Sequence, residues 1–178
     1  VDIKDNTAPG YASKVMEELS PTSYNRASNS FEKYQMAIKK LKDAGFYVIG
    51  RITTFKDSYY VQDHPEDAIL DTNTNAPYEH DGSYWPSAFD RDVWEYNVKL
   101  AVEAVEEMGF HEIQFDYVRF PDRTLKAEQS GLINYQNNYG EDKAQAIQNF
   151  LMYACDEIHD AGAYVSADVF GESAHNYV

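Results

Sequence analysis

The sequence EIQFDYVRFP, residues 112–121, has the pattern of a short strand with a polar end. Its apolar and polar residues alternate as far as Asp116, and a proline then closes the stretch. Such alternation is typical of a half-buried β-strand, and proline does not continue a strand in the middle of a sheet. An amphipathic pattern over about residues 91–108 precedes it and is stopped by Gly109. The segment therefore predicts a helix followed by a strand.

The same alternation of helix and strand recurs on both sides of this segment. Strand patterns cover about residues 1–5, 46–55, 112–119 and 164–170, and helical patterns cover about 31–44, 91–108 and 141–161. Strands joined through helices run parallel, and their connections are right-handed. The order β-α-β-α-β-α-β therefore predicts an α/β fold with about four parallel strands and three main helices.

Long loops after the strands favour a (β/α)8 barrel over an open sheet. Residues 6–30 and about 56–90 follow the first two strands, and barrel enzymes build their active sites from loops at this end of the strands. The alternative is an open flavodoxin-like sheet, in which a tight turn would normally follow the first strand. Four strands are half of a barrel, which usually needs roughly 250 residues. We therefore predict that residues 1–178 form a single, incomplete TIM-barrel domain.

Charge and hydropathy restrict the partners of the chain. Thirty acidic residues against fifteen basic ones give a formal net charge of -15. This charge repels phosphate backbones and anionic lipids, so we expect no nucleic-acid partner. No apolar run in the sequence is long enough to cross a bilayer, so no membrane insertion is expected. Aromatic residues make up 15% of the chain and suit carbohydrate surfaces as well as ordinary cores.

Strand parity predicts which polar side chains face the interior of the barrel. If the apolar residues face the helices, the inward positions are Asp2, Lys4, Arg51, Thr53, Gln114, Asp116, Ser166 and Asp168. A barrel filled only for packing would prefer Val, Ile and Leu at these positions. The pattern therefore indicates a polar site near the carboxyl ends of the strands, although each of these residues could instead make a structural contact.

Four motifs, in order, resemble a bacterial family regarded as glycosyl hydrolases and long described as a domain of unknown function. They are DIKD at 2–5, RITTFKD at 51–57, EIQFDYVRFP at 112–121 and SADVFG at 166–171. The resemblance implies a TIM barrel related to the amylase-like hydrolases, of which this chain would supply roughly strands 2 to 5. It also implies a secreted bacterial parent protein, extracellular or at the cell surface. WPSA at 85–88 departs from the family pattern, which has Trp-x-Asp/Asn-Pro there.

Glycoside hydrolysis requires one ionised carboxylate and one carboxyl group that donates a proton. The resemblance makes Asp116 the candidate nucleophile or transition-state stabiliser, and Arg51 on the next strand would favour its ionised form. Asp168 and Glu172 are candidate general acids, because neighbouring strands lie about 4.8 Å apart, which suits the roughly 5 Å carboxyl separation of retaining enzymes. The alternative is that Asp116 only pairs with Arg51 or Lys4 in a polar interior.

The other candidate residues would bind the sugar. Asp2, Asp5 and Asp57 would accept hydrogen bonds from sugar hydroxyls or merely end their strands, and Arg51 and Arg119 would donate hydrogen bonds. The aromatic residues of the long loop, which would stack on sugar rings or pack the loop, are Tyr59, Tyr60, Tyr84 and Trp85.

No metal centre and no cofactor is predicted. The five histidines and the single cysteine lack metal-binding spacing. Weaker alternatives are an ion at His80–Asp81 and a calcium ion among Asp71, Asp81 and Asp90, but no EF-hand spacing supports the second.

The sequence is compatible with two functions. The first is hydrolysis of a polysaccharide or cell-surface glycan by two carboxylates. The second is a non-catalytic barrel that binds carbohydrate or acts as a scaffold. An incomplete barrel exposes two sheet edges, so we expect the chain to be inactive alone and to self-associate through those edges.

Overall fold

The computed structural model describes residues 1–171, which form a mixed α/β fold. Its strands and helices, in chain order, are β1 (Asp2–Lys4), α1 (Lys14–Leu19), α2 (Pro21–Asn25), α3 (Phe31–Asp43), β2 (Ile49–Thr53), α4 (Ser58–Asp63), β3 (Leu70–Asp71), β4 (Ala76–Pro77), β5 (Glu79–His80), β6 (Ser83–Tyr84), α5 (Arg91–Met108), β7 (Glu112–Asp116), α6 (Leu125–Gln129), β8 (Ile133–Asn134), α7 (Lys143–Asp160) and β9 (Tyr164–Ala167). A 3-10 turn covers Pro65–Asp67.

The main sheet has four parallel strands in the order β1-β2-β7-β9. Each strand lies beside the one that follows it in this series, and the long helices α3, α5 and α7 occupy the crossovers. This order is that of a barrel segment, whereas a flavodoxin-like sheet would place its first strand between the second and third. The prediction of a partial (β/α)8 barrel is therefore confirmed, and the open-sheet alternative is wrong.

The long helices begin at side-chain caps, and α5 ends at the predicted glycine. The side chain of Ser30 accepts a hydrogen bond from the backbone of α3, and Asp90 caps α5 in the same way. Asp142 and Gln145 form a reciprocal capping box at the start of α7. Gly109 ends α5 with a φ of 72°, a left-handed conformation in which glycine has no steric cost. Local sequence alone thus sets the bounds of the crossover helices.

The core lies between the sheet and these helices. Phe150 of α7 makes edge-to-face contacts with Phe55, Phe115 and Trp94, at centroid distances of 5.1, 5.2 and 5.8 Å. Such contacts stabilise a core beyond the burial of their area. Ile52 and Phe115 are fully buried on the same side of the sheet. The opposite side of the sheet is left for polar residues.

The loops contain more structure than the sequence predicts. The polar stretch before residue 30 contains α1 and α2, and the long second loop contains α4 and several two-residue strands. Antiparallel pairing joins β3 to both β4 and β8, so the loop after β7 packs on the loop after β2. The strands of the main sheet are also shorter than predicted, because the chain leaves the sheet soon after each acidic or polar end.

Lys4 does not face the interior, so its predicted orientation is wrong. A bulge lies between Asp2 and Lys4, and Lys4 pairs with Ile52, a residue of the helix-covered side. Its ammonium group donates to Asp57 Oδ2 at 2.7 Å and to Asn97 Oδ1 at 2.9 Å. The extra residue reverses the alternation, and Asp5 takes the place beside Arg51 that parity gives to Lys4.

Candidate functional site

Arg51 joins three carboxylates on the open side of the sheet. Its Nη1 donates to Asp2 Oδ1 at 2.8 Å and to Asp5 Oδ1 at 3.0 Å. Its Nε donates to Asp116 Oδ2 at 2.9 Å, and its Nη2 donates to the same oxygen. Residues 51, 2, 5 and 116 are called the Arg51 cluster below. The structure thus brings together Asp2, Asp5, Arg51 and Asp116, four of the predicted site residues.

Hydrogen bonds within the cluster favour the charged forms of Arg51 and Asp5. Partial burial opposes the effect, but hydrogen bonds to Asp2, Asp116 and Asp5 raise the pKa of Arg51 further above its ordinary value. Burial also opposes ionisation of Asp5, but hydrogen bonds from Thr7 and Arg51 outweigh it and lower the pKa of Asp5. Both shifts stabilise the ion pair between Arg51 and Asp5.

Asp116 is followed by a residue in an uncommon conformation. Tyr117 has a φ of 49°, and its backbone N–H donates to Asp116 Oδ1 at 2.6 Å. The left-handed region costs a non-glycine residue roughly 1–2 kcal/mol, and such residues cluster at functional sites. The turn leaves Asp116 at the carboxyl end of β7, with its side chain about one-fifth exposed. Strand-end carboxylates of this kind are the usual catalytic groups of a barrel.

Thr53 lies directly beside Asp116 in the sheet register. Its side-chain oxygen is buried and has no hydrogen-bond partner among residues 1–171. A buried hydroxyl without a partner is costly, and such groups mark sites where a ligand or water supplies the missing bond. Thr53 therefore adds a free donor next to the candidate nucleophile.

The candidate general acids are less well defined. The N–H of Asp168 donates to Phe115 O at 2.8 Å, so continuing the strand register places Asp168 beside Asp116. Its side chain is exposed and forms no hydrogen bond or ion pair within residues 1–171. It lies at the edge of a mostly apolar cavity of about 800 Å³ between α7 and the end of β9. Glu172 lies outside the described residues.

Asp57 is buried beside Lys4, on the helix-covered side of the sheet, and not at the site. Its Oδ2 accepts from Lys4, and its Oδ1 accepts from the backbone N–H groups of Tyr59 and Tyr60 at the start of α4. Burial lowers the pKa of Lys4, and the carboxylate of Asp57 opposes that change. Both oxygens are engaged and the residue is buried. The structure therefore gives Asp57 a structural role in place of the predicted sugar contact.

Trp85 and Tyr60 are also buried, so neither offers a free ring face for a sugar. Trp85 packs edge-to-face on Tyr117 at 6.0 Å. Arg119 lies 5.2 Å from the ring centres of both residues. Its Nη1 donates to Phe120 O at 3.1 Å and lies 3.4 Å from Asp122. Arg119 and Trp85 thus lie beside Tyr117, the residue after Asp116. Trp85 supports the loop.

Three residues near the site were missed or given no role from sequence. Thr53 was predicted to face inward without a function, and Tyr117 carries no sequence signal for its left-handed conformation. Lys56 follows β2 and lies 5.1 Å from the ring centre of Tyr117. Its position just after a strand was its sequence signal. Its proximity to Trp85 and Tyr117, which are distant in sequence, is revealed only by the folded structure.

Groups of side chains that could hold a cation lie elsewhere. Ligand atoms lie within 4.8 Å of one another in the sets His64–Glu66–Asp67, Asp67–Asp90–Asp92 and His80–Asp81–Asp122. Burial first, and the neighbouring carboxylates after it, raise the pKa of both Asp67 and Asp90. Hydrogen bonds from Tyr60 to Asp67, and from the backbone of α5 to Asp90, oppose this, and no independent feature indicates a ligand there. We assign no metal site to these groups.

Parallel strands in barrel order, with carboxylates at their carboxyl ends, define part of a (β/α)8 barrel with an acidic site at the end where barrel enzymes have theirs. Residues 1–177 match the family described as "Putative glycosyl hydrolase domain". The chain belongs to this family.

Solved structures share the fold of this chain. A hypothetical protein from Ruminiclostridium thermocellum ATCC 27405 is 33% identical, with a TM-score of 0.76 over 96% of this chain and 82% of that one. A Flavobacterium johnsoniae chitobiase has a TM-score of 0.63 at 11% identity, covering 93% of this chain and 25% of that one. The alpha-L-fucosidase isoenzyme 2 from Paenibacillus thiaminolyticus has a TM-score of 0.57 at 15% identity, covering 94% of this chain and 26% of that one.

The last two similarities show the shared fold alone, and this chain spans about a quarter of each enzyme's length. No curated protein matches the chain. Within residues 1–171 no helix is both long and apolar enough to cross a membrane.

Proposed function

We propose that this domain hydrolyses a polysaccharide or cell-surface glycan by a two-carboxylate mechanism, with Asp116 as nucleophile or transition-state stabiliser. The observation that carries the proposal is the position of Asp116 at the carboxyl end of β7, paired with Arg51. The cation favours the ionised carboxylate, which the reaction requires when positive charge develops on the sugar. Membership of a glycosyl hydrolase family supports the same activity.

The second carboxyl group would come from the end of β9. Asp168 follows β9 and is exposed, while Glu172 follows four residues later in sequence. Either would donate a proton to the leaving glycosidic oxygen, while Asp116 attacks or stabilises the anomeric carbon. Asp168 has the better-supported position, because the register continues to it from β7.

Sugar contacts would come from the rim of the site. Asp2 and Asp5 present carboxylate oxygens beside Arg51, and Arg119 lies beside the ring of Tyr117, the residue after Asp116. Carboxylates of this kind accept hydrogen bonds from sugar hydroxyls. A polymeric or surface glycan also fits the proposal that the parent protein is secreted and acts outside a bacterial cell.

A non-catalytic carbohydrate-binding or scaffolding barrel is the second candidate. One observation favours it: both oxygens of Asp116 already accept hydrogen bonds, Oδ2 from Arg51 and Oδ1 from the Tyr117 N–H. A carboxylate engaged in this way also serves as a structural link between strands. A carboxylate oxygen can accept two hydrogen bonds, and Oδ1 accepts one within residues 1–171, so the pairing does not block a reaction.

Incubation of the full-length protein with a broad glycan panel separates the two functions. Products are separated by anion-exchange chromatography and identified by mass spectrometry, and heat-denatured protein is the control. The hydrolase account predicts new reducing ends from at least one glycan. Tight binding to a glycan with no cleavage of any would instead establish the binding barrel.

Self-association is a further part of the proposal. β1 and β9 are the outer strands of the described parallel sheet, and each has one neighbour there. Unpaired strand edges are templates for pairing with another chain. Sedimentation velocity between 1 and 100 µM (concentrations set on the order of typical weak association) should show a rising average mass; a constant monomer mass would contradict this.

A further inference from the structure

Two cations share one aromatic pair beside the proposed site. Lys56 Nζ lies 5.1 Å from the ring centre of Tyr117 and 6.0 Å from that of Trp85. The guanidinium carbon of Arg119 lies 5.2 Å from both ring centres. The two positive charges are therefore no farther apart than about twice the cation–ring distance. Residues 56, 85, 117 and 119 are called the cationic patch below.

The cationic patch adjoins the candidate nucleophile. Tyr117 directly follows Asp116, and its left-handed turn carries the ring away from the strand. Lys56 follows β2 three residues after Thr53, which pairs with Asp116. A sugar bound over Asp116 would therefore have its neighbouring substituents, or the next sugar of the chain, within reach of the patch.

Pairing of the cations differs between this patch and the rest of the sheet end. Arg51 contacts three carboxylates, and Lys4 has Asp57. Lys56 has no hydrogen-bond or ion-pair partner within residues 1–171, and the one ion pair of Arg119 there is with Asp122, at 3.4 Å. Lys56 therefore lacks a compensating carboxylate at this end of the sheet, and Arg119 has one only at a long distance.

The patch also contains a donor without an acceptor. The indole N–H of Trp85 is buried and has no hydrogen-bond partner in the described part of the chain. Ammonium, guanidinium and indole N–H groups are all donors and none of them accepts a hydrogen bond. A set of donors with two positive charges is matched by an anion, whereas a neutral sugar would leave the charges uncompensated.

We propose that the cationic patch binds an anionic substituent of the glycan, so that the substrate is an acidic polysaccharide. This inference rests on the proposed site at Asp116 but concerns binding, not cleavage. A uronate carboxylate and a sulfate ester share the chemistry that the patch recognises. The cations then orient the charged sugar against the rim, and the aromatic pair fixes the position of the cations themselves.

Binding is tested by microarray and calorimetry with uronate polysaccharides, their carboxyl-reduced forms, and sulfated polysaccharides that lack uronate. Carboxyl reduction removes the charge and keeps the backbone of the polymer. The variants are Lys56→Met, Arg119→Gln and the double variant, with Lys56→Arg retaining the charge. Lys126→Met and Arg123→Gln remove the same charges from exposed positions, and thermal melting confirms folding of each variant.

We expect at least tenfold tighter binding of one acidic glycan than of its neutral partner. The double variant should reduce this preference below threefold, the controls and Lys56→Arg should keep it, and added salt should weaken it. Binding of uronate or of sulfate alone identifies the source of the charge. The inference is overturned if no acidic glycan binds, if the neutral form binds equally well, or if the folded double variant keeps its preference.

The outcomes also separate this inference from the proposed function. Cleavage restricted to neutral glycans would retain the hydrolase and reject the acidic substrate. Charge-dependent binding without cleavage of any bound glycan would retain the patch and reject hydrolysis.

Discussion

Arg51 donates two hydrogen bonds, from Nε and Nη2, to a single oxygen of Asp116. The pair connects the neighbouring strands β2 and β7 at the end of the sheet where a barrel has its active site. The remaining nitrogen, Nη1, reaches Asp2 and Asp5 of the first strand and its loop. One guanidinium thus organises carboxylates from both sides of its own strand.

Replacing this cation should change the ionisation of Asp5. Arg51→Met removes a hydrogen bond that lowers the pKa of Asp5, while the bonds from Thr7 remain. We expect the pKa of Asp5 to rise toward its ordinary value, and the free energy of unfolding at pH 7 to fall by roughly 1–3 kcal/mol. NMR titration of the carboxyl carbons and urea denaturation measure the two effects. Arg123→Met is the exposed control, and an unchanged Asp5 titration in Arg51→Met would contradict the cluster.

The buried pair of Lys4 and Asp57 should behave as one unit. Lys4→Met leaves the Asp57 carboxylate buried without its cation, and we expect a loss of roughly 3–5 kcal/mol in the free energy of unfolding. The double variant Lys4→Met/Asp57→Asn should recover much of that loss, because asparagine still caps α4. Urea denaturation measures both variants, and Lys39→Met, in an exposed pair, should change stability by less than about 0.5 kcal/mol.

This account of Lys4 fails under one result. If the loss in the double variant equals the sum of the two single losses, the pair is not coupled.

Stability at low pH should depend on Glu128. Partial burial raises its pKa, but hydrogen bonds from Lys143, Thr124 and Tyr135 outweigh this and lower the pKa of Glu128 to about 2. Because the pKa is lowered in the folded state, ionised Glu128 stabilises the fold at pH values above its unfolded pKa of about 4.3. This stabilisation is lost as the pH falls toward about 2. Its size is about 1 kcal/mol, because solvent screens the partly exposed carboxylate.

Urea denaturation of wild type and Glu128→Gln between pH 7 and pH 2.5 (a range set by the two pKa values) tests this. The stability gap should be greatest at pH 7 and should close as the pH falls. The exposed variant Glu106→Gln controls for the loss of one charge. A difference in the free energy of unfolding that widens as the pH falls would contradict this prediction.

The strand order and the long helices could be predicted because local signals determine them. Ser30 and Asp90 cap their helices in the structure, and Gly109 ends α5. Parity correctly placed Arg51 and Asp116 on the same side of the sheet, since regular alternation continues along β2 and β7. These inferences depend only on neighbours in sequence and on the geometry of a regular strand.

The rest of the site depends on contacts that sequence does not encode locally. The bulge in β1 turned Lys4 toward the helices, where Asn97, far along the chain, completes its hydrogen bonds. Burial of Trp85 likewise required the loop after β2 to fold against residues that follow β7. A bulge and a loop fold are tertiary outcomes, so alternation alone could not predict them.

The central claim is that Asp116 is the reacting carboxylate. Its most direct test is kcat/KM of Asp116→Asn for a glycan that the wild-type protein cleaves, beside Asp43→Asn at an exposed helix end. The account predicts a loss of at least about 1,000-fold, equivalent to roughly 4 kcal/mol of transition-state stabilisation, with folding and glycan binding retained. An Asp116→Asn protein with kcat/KM within about threefold of wild type, hence under 1 kcal/mol, would contradict it.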